Sequence, residues 1–158
     1  MFPTIYIPGS EVLLHTVSYD IDAVSDAGFT AAAIKSAGYR LGASYGLLRP
    51  EDRVVVNLNL SGTFVAWSPW GIPADIGGNS GSNCAFATVF SDNTLQNTTV
   101  TGTPYDGYAA ARAAFQSQHP DGVEFSGSAD YWFGIQDTPV GDNSGGISIT
   151  VQVYGRVR

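Results

Sequence analysis

Cysteine, lysine and long apolar runs are nearly absent from this chain. Its 158 residues contain one cysteine, Cys84, which excludes an intramolecular disulfide and leaves the redox compartment open. No nucleophile motif surrounds Cys84, so it reads as a small buried hydrophobe. Lys35 is the one lysine, charged residues make up 13% of the sequence, and the formal net charge is −7. Such a chain lacks the clustered cations that track a phosphate backbone; it excludes nucleic-acid binding and favours the attraction of cations. No apolar run approaches the ~20 residues of a membrane span, so membrane insertion is not expected. The first residues, Met1-Phe2-Pro3-Thr4-Ile5-Tyr6-Ile7-Pro8, have neither a basic region nor an uninterrupted apolar one. That predicts synthesis in the cytoplasm without a signal peptide.

Catalytic equipment is equally sparse. The two histidines are His15, in an apolar stretch, and His119, which closes a helical pattern before Pro120. Both read as structural, His119 because a cation at a helix C-terminus complements the dipole. A zincin motif, a cysteine-pair zinc motif, a Walker motif and a dinucleotide fingerprint are all missing. The glycine-rich stretch from Gly77 to Asn83 has no neighbouring Lys or Arg and no helix after it, so it reads as a solvated loop. The sequence predicts a protein that is not an enzyme.

What the chain has in quantity is turn residues and short apolar runs. Arg53-Val54-Val55-Val56-Asn57-Leu58-Asn59-Leu60 places Val54, Val56, Leu58 and Leu60 on one face of a strand. Thr63–Trp67, Cys84–Phe90, a stretch around Thr98–Thr101 and Val123–Phe125 are further strand candidates. Tyr131–Asp137 and the alternating Ile147–Tyr154 complete the series. Two helices interrupt it. The first runs through Thr30–Ala37, capped by Ser25 or Asp26 and ended by Gly38; the second spans Tyr108–Gln118, capped by Asp106 and stopped by His119-Pro120. Pro3 and Pro8 make the opening segment an arm or an edge strand. The fold expected is all-β: a β-sandwich, jelly-roll-like, with two short inserted helices and an extended N-terminal arm. Residues 1–46 form the arm with its short helix and residues 47–158 the sandwich domain.

Between the last two strands lies Asp137-Thr138-Pro139-Val140-Gly141-Asp142-Asn143-Ser144-Gly145-Gly146. Calcium takes six to eight hard oxygens from carboxylates, amides, carbonyls and water, and Asp137, Asp142 and Asn143 supply them in one turn. Residue types alone favour an ordinary acidic turn, because Asp, Asn, Gly and Pro each serve local backbone geometry there. The loop with its alternating terminal strand resembles the calcium loop of bacterial galactophilic lectins of the LecA type. Arg49-Pro50-Glu51-Asp52 entering a β-branched strand, followed by Gly62, Phe64 and Trp67, resembles that family's Pro-Gly-Asp strand and Gly-Trp-x-x-Tyr segment. The resemblance spans roughly residues 48–67 and 123–154.

The resemblance implies a LecA-like sandwich that binds Ca2+ and, through it, a galactose-type glycan. Side chains of Asp137, Asp142 and Asn143 would ligate the ion, with carbonyls near Pro139 or Val140 and near Trp67. The family's sugar-contact loop has no evident counterpart; Trp70, Asp75 and Asn79 stand in the comparable region. Trp70, between Pro69 and Gly71, is the best aromatic platform for a sugar face. A second expectation, from the Pro-bearing arm and scarce lysine, is a structural or decoration protein of a larger assembly such as a phage capsid or tail. Both readings expect a homo-oligomer with protein neighbours, displayed on a virion or another extracellular surface.

Overall fold

The computed structural model describes residues 10–59, 68–69, 84–100, 108–138, 140 and 143–157. In chain order these form β1 (Glu11–Asp22), β2 (Ala27–Gly28), α1 (Ala31–Ala37), β3 (Tyr39–Arg40), β4 (Arg53–Leu58) and β5 (Ser68–Pro69). There follow β6 (Cys84–Phe90), β7 (Leu95–Thr99), α2 (Tyr108–Gln118), β8 (Val123–Ser126), β9 (Tyr131–Gln136), β10 (Asn143–Ser144) and β11 (Gly146–Arg156).

Two sheets carry the fold. The first has the order β1-β11-β4-β8; in the second, β9 pairs with β6, β6 with β7, and the short β2 and β3 flank β9. Alternation explains the inner face of the first sheet. Val54, Val56 and Leu58 of β4 register against Val153, Val151 and Ile149 of β11, and all six are buried. They form one core with Tyr19 and Ile21 of β1, Phe125 of β8, Phe86 of β6, Phe133 and Ile135 of β9, and Phe115 of α2. β-Branched side chains suit this half-buried pleated surface, and each fully buried one contributes about 1.5–3 kcal/mol relative to exposure. Among the described residues the architecture is a β-rich sandwich with two short α-helices.

A smaller cluster lies apart from this core, where Ile34 of α1 packs with Ala87 and Val89 of β6. Gly134 makes room for it: a Cβ there would come within 2.8 Å of the Asp26 carbonyl and 3.1 Å of Ile34 Cγ2. The cap of α1 differs from the sequence expectation. Thr30 caps it, its Oγ1 accepting from the Ala33 N–H at 3.1 Å, and Gly38 N–H closes the end on the Ile34 carbonyl. Asp26 is used elsewhere: its Oδ2 accepts from the Asp22 N–H and its carbonyl from the Ile135 N–H.

Residues 10–46, where the sequence predicts an arm, contribute to both sheets. β1 pairs antiparallel with β11 from Glu11↔Arg156 to Asp22↔Gly146, and β2 and β3 pair with β9. Tyr19 and Ile21 explain this placement, since both are buried in the shared core. The predicted strand at Thr63–Trp67, Leu60, and the Asp106 cap lie outside the described residues.

Candidate functional site

The end of the sandwich where β9 stops and β11 begins is built by two turns distant in sequence. Asp22 organises the first. Its Oδ1 accepts from the N–H groups of Val24 and Ser25 at 2.8 and 2.9 Å, and its own carbonyl accepts from the Asp26 N–H. Side-chain acceptance of backbone donors two and three residues ahead is what makes Asp a turn former. This turn then fastens to the second. Ala23 N–H donates to the Gly145 carbonyl at 3.0 Å, and the Asn143 Nδ2 amide donates to the Ala23 carbonyl at 2.9 Å.

Asp137 leaves β9 with its N–H donating to the Gly28 carbonyl at 3.1 Å. Gln136 just before it is held twice, donating to the Phe29 carbonyl and accepting from Asn97 Nδ2 at 2.6 Å. The root of the loop is therefore rigid. The Val140 carbonyl accepts from the Asn143 N–H at 3.1 Å.

Asn143 is the distinctive residue here. It is 8% exposed, its amide nitrogen is anchored, and its Oδ1 is buried without a hydrogen-bond partner. An unpaired buried amide oxygen costs about 1–3 kcal/mol, so native proteins rarely leave one idle. β10, which contains Asn143, pairs with β5 through Asn143↔Pro69 and Ser144↔Ser68. The chain between Trp67 and Trp70 is thereby brought beside the loop.

The local field is negative. Burial, reinforced by the charge of Asp22, holds the Asp26 carboxyl above the usual range. Hydrogen bonds from the Ser25 and Val24 backbone hold Asp22 below it. Burial also raises the Tyr39 hydroxyl, with the charges of Asp26, Asp20 and Asp22 adding to the effect. Even so, among the described residues no three His, Cys, Asp or Glu side chains converge as a metal-binding group. A cation at this end would need amide and main-chain oxygens beside Asp137.

Of the residues expected from sequence, Asp137, Val140 and Asn143 are brought to this one loop. Pro139, Asp142, Trp67, Trp70 and Asp75 lie outside the described residues, as does Asn79. Sequence reasoning missed Ala23 and Asp22, whose turn holds Asn143. The only sequence signal was an Asp followed by small residues. The histidines are both engaged: His15 Nε2 lies 3.1 Å from Ser44 Oγ, and His119 Nε2 lies 2.8 Å from the Thr99 carbonyl. The second contact differs from a helix-end cation acting only on its own dipole. The side chain of Cys84 lies outside the described set.

Fold and site together define a β-sandwich with an oxygen-rich loop at one end. Protein-family models, curated proteins and solved structures contain no match to this chain.

Proposed function

We propose that the chain is a non-catalytic, calcium-dependent carbohydrate-binding module with a jelly-roll, LecA-like sandwich. The observation that carries this reading is Asn143: a buried amide whose nitrogen is tied down and whose oxygen has no partner. A hard cation is the ligand that such an oxygen satisfies best when a carboxylate stands in the same loop. Asp137 would supply charge, Asn143 Oδ1 a fixed neutral ligand, and the Val140 carbonyl a second lone pair beyond the one used by Asn143 N–H. Asp142 and carbonyls at Pro139 and Trp67 would complete the protein's share. Calcium, when bound, supplies a polarising centre for vicinal hydroxyls; Trp70 and Asp75 would contact the sugar. Isothermal titration with calcium, followed by a neutral-glycan array with and without chelator, tests the reading. Calcium binding that Asp137→Ala abolishes is expected, and a calcium-blind protein ends the proposal.

A second reading, a structural or decoration protein of a virion or similar assembly, draws on β1. Among the described residues this twelve-residue strand lies at the edge of the first sheet, and Leu13 on it is half exposed. Edge strands present unpaired backbone that another chain can extend. Light scattering on the purified chain distinguishes a monomer from the homo-oligomer that this reading expects.

A further inference from the structure

The inner faces of β4 and β11 are committed to the core, but their outer faces form a polar surface of a particular kind. In the register of the sheet, Thr150 stands between Ser18 and Asn57, and Gln152 stands between Thr16 and Val55. Ser18 Oγ and Thr150 Oγ1 are 3.3 Å apart. Beyond β4, Asn59 continues alongside β11, its N–H donating to the Ser148 carbonyl at 2.8 Å. Gln116 of α2 and Pro120 after it close this surface into a cleft of about 570 Å³, with Asn57, Asn59, Thr150 and Gln152 among its other lining residues. That size lies within the range of small-molecule sites, roughly 300–1,000 Å³.

The cleft depends on a close approach. Gly122, at φ +79°, follows the turn after α2, and a Cβ built there would lie 2.6 Å from Asn57 Nδ2. Both the backbone angle and the space demand glycine, so the turn can sit directly against the Asn57 amide.

The lining chemistry selects the ligand. Among the described residues it contains four primary amides and one hydroxyl and no charged side chain. A primary amide carries both N–H donors and a carbonyl acceptor, which matches groups that donate and accept together, namely hydroxyls. Among the described lining residues phosphates and carboxylates find no cation, and metal ions find no carboxylate. An extended peptide finds no free backbone ladder, because β4 and β11 are both interior strands of their sheet. We propose that this cleft is a metal-independent binding site for a neutral oligosaccharide. It is separate from the calcium-loop reading: Thr150 lies four residues along β11 from Gly146, roughly 13 Å of strand.

The test uses the full chain in excess EDTA, so that it does not depend on the loop. A panel of neutral oligosaccharides is screened by ligand-detected NMR, and the strongest binder is titrated by calorimetry. Gln116→Ala, at an exposed helix position where alanine favours the helix, is expected to weaken binding about tenfold. Gln152→Ala is expected to do the same, but it also removes a 3.3 Å contact with the Tyr154 hydroxyl, so its circular dichroism is checked. Gln116→Trp, which fills the cleft, is expected to abolish binding, and Asp137→Ala to leave it unchanged. Three outcomes overturn the proposal: no neutral saccharide binding in EDTA, binding that survives both Gln116 variants, or preferential binding of peptides over saccharides. Loss of calcium binding alone would leave this site standing.

Discussion

Asp130 and Asn143 are both buried polar side chains near the ends of the strands flanking the final loop, yet the protein treats them differently. Asp130 is 2% exposed and fully served: Arg40 Nε donates to its Oδ2 at 2.6 Å, and the N–H groups of Gly42 and Tyr131 donate to its Oδ1 at 2.8 Å. Arg40 itself is half exposed and also lies over the Trp132 ring. Asn143 has one firm bond and one empty oxygen. A satisfied buried carboxylate locks the junction of β3, β9 and the turn after β3. A half-satisfied buried amide spends folding energy without a return inside the described structure; Asn97 carries a second such oxygen, and what sets Asn143 apart is its place in the loop that carries Asp137.

The comparison can be broken most forcefully at Asp130. Asp130→Ala strands three donors and removes the charge partner of Arg40, and about 3 kcal/mol of stability is expected to be lost in urea denaturation. A loss below about 1 kcal/mol would mean that the two sites do not differ as described. The matching change at the loop is smaller. Asn143→Ala removes one hydrogen bond but also the unpaired oxygen, so about 1 kcal/mol or less is expected without calcium. With calcium present the difference between parent and variant should widen, because the parent alone would gain the ion's binding energy. Equal stability curves with and without calcium would show that the orphan oxygen is not a ligand.

The smallest effect sharpens the electrostatic side. Asp26 titrates above the usual range because burial disfavours its charge, so the charged form opposes folding at neutral pH. The penalty vanishes as pH falls through its raised value. Asp26→Asn is therefore expected to match or exceed the parent at pH 7, with the advantage shrinking toward pH 4. Asp22 has the opposite sign: its depressed value stabilises the fold above the ordinary carboxyl value of 3.8, and this is lost as pH falls through the folded one. Thermal midpoints of the parent and Asp26→Asn across that window decide it; a constant gap counts against the assignment.

Much of the framework was legible in the sequence because it is written locally. The β-branched alternation of Val54, Val56 and Leu58, the alternation from Ile147 to Val153, and the alanine-rich run of α2 all became the elements they predicted. Partnership was not legible. That Tyr19 and Ile21 join the core follows from pairing across more than a hundred residues, which leaves no local trace. The same holds for the site. Asn143 was readable as an oxygen donor in a turn, whereas its burial against Ala23 depends on a turn at the other end of the chain. Asp26 was misread as a helix cap for the same reason: its partners, Asp22 and Ile135, fix its role more strongly than its position before an alanine run does. The amide cleft went unseen because Asn57, Gln116 and Gln152 come from three separate elements.

The position of β11 sets an order of assembly. It lies between β1 and β4, so these two earlier strands have no contact with each other through the ladder until the last strand arrives. During synthesis, β1 would leave the ribosome long before its only strand partner exists among the described elements. Folding of this sheet is therefore a late, non-local event with a high loop-closure cost, and a slow refolding rate for the domain's size is its natural consequence.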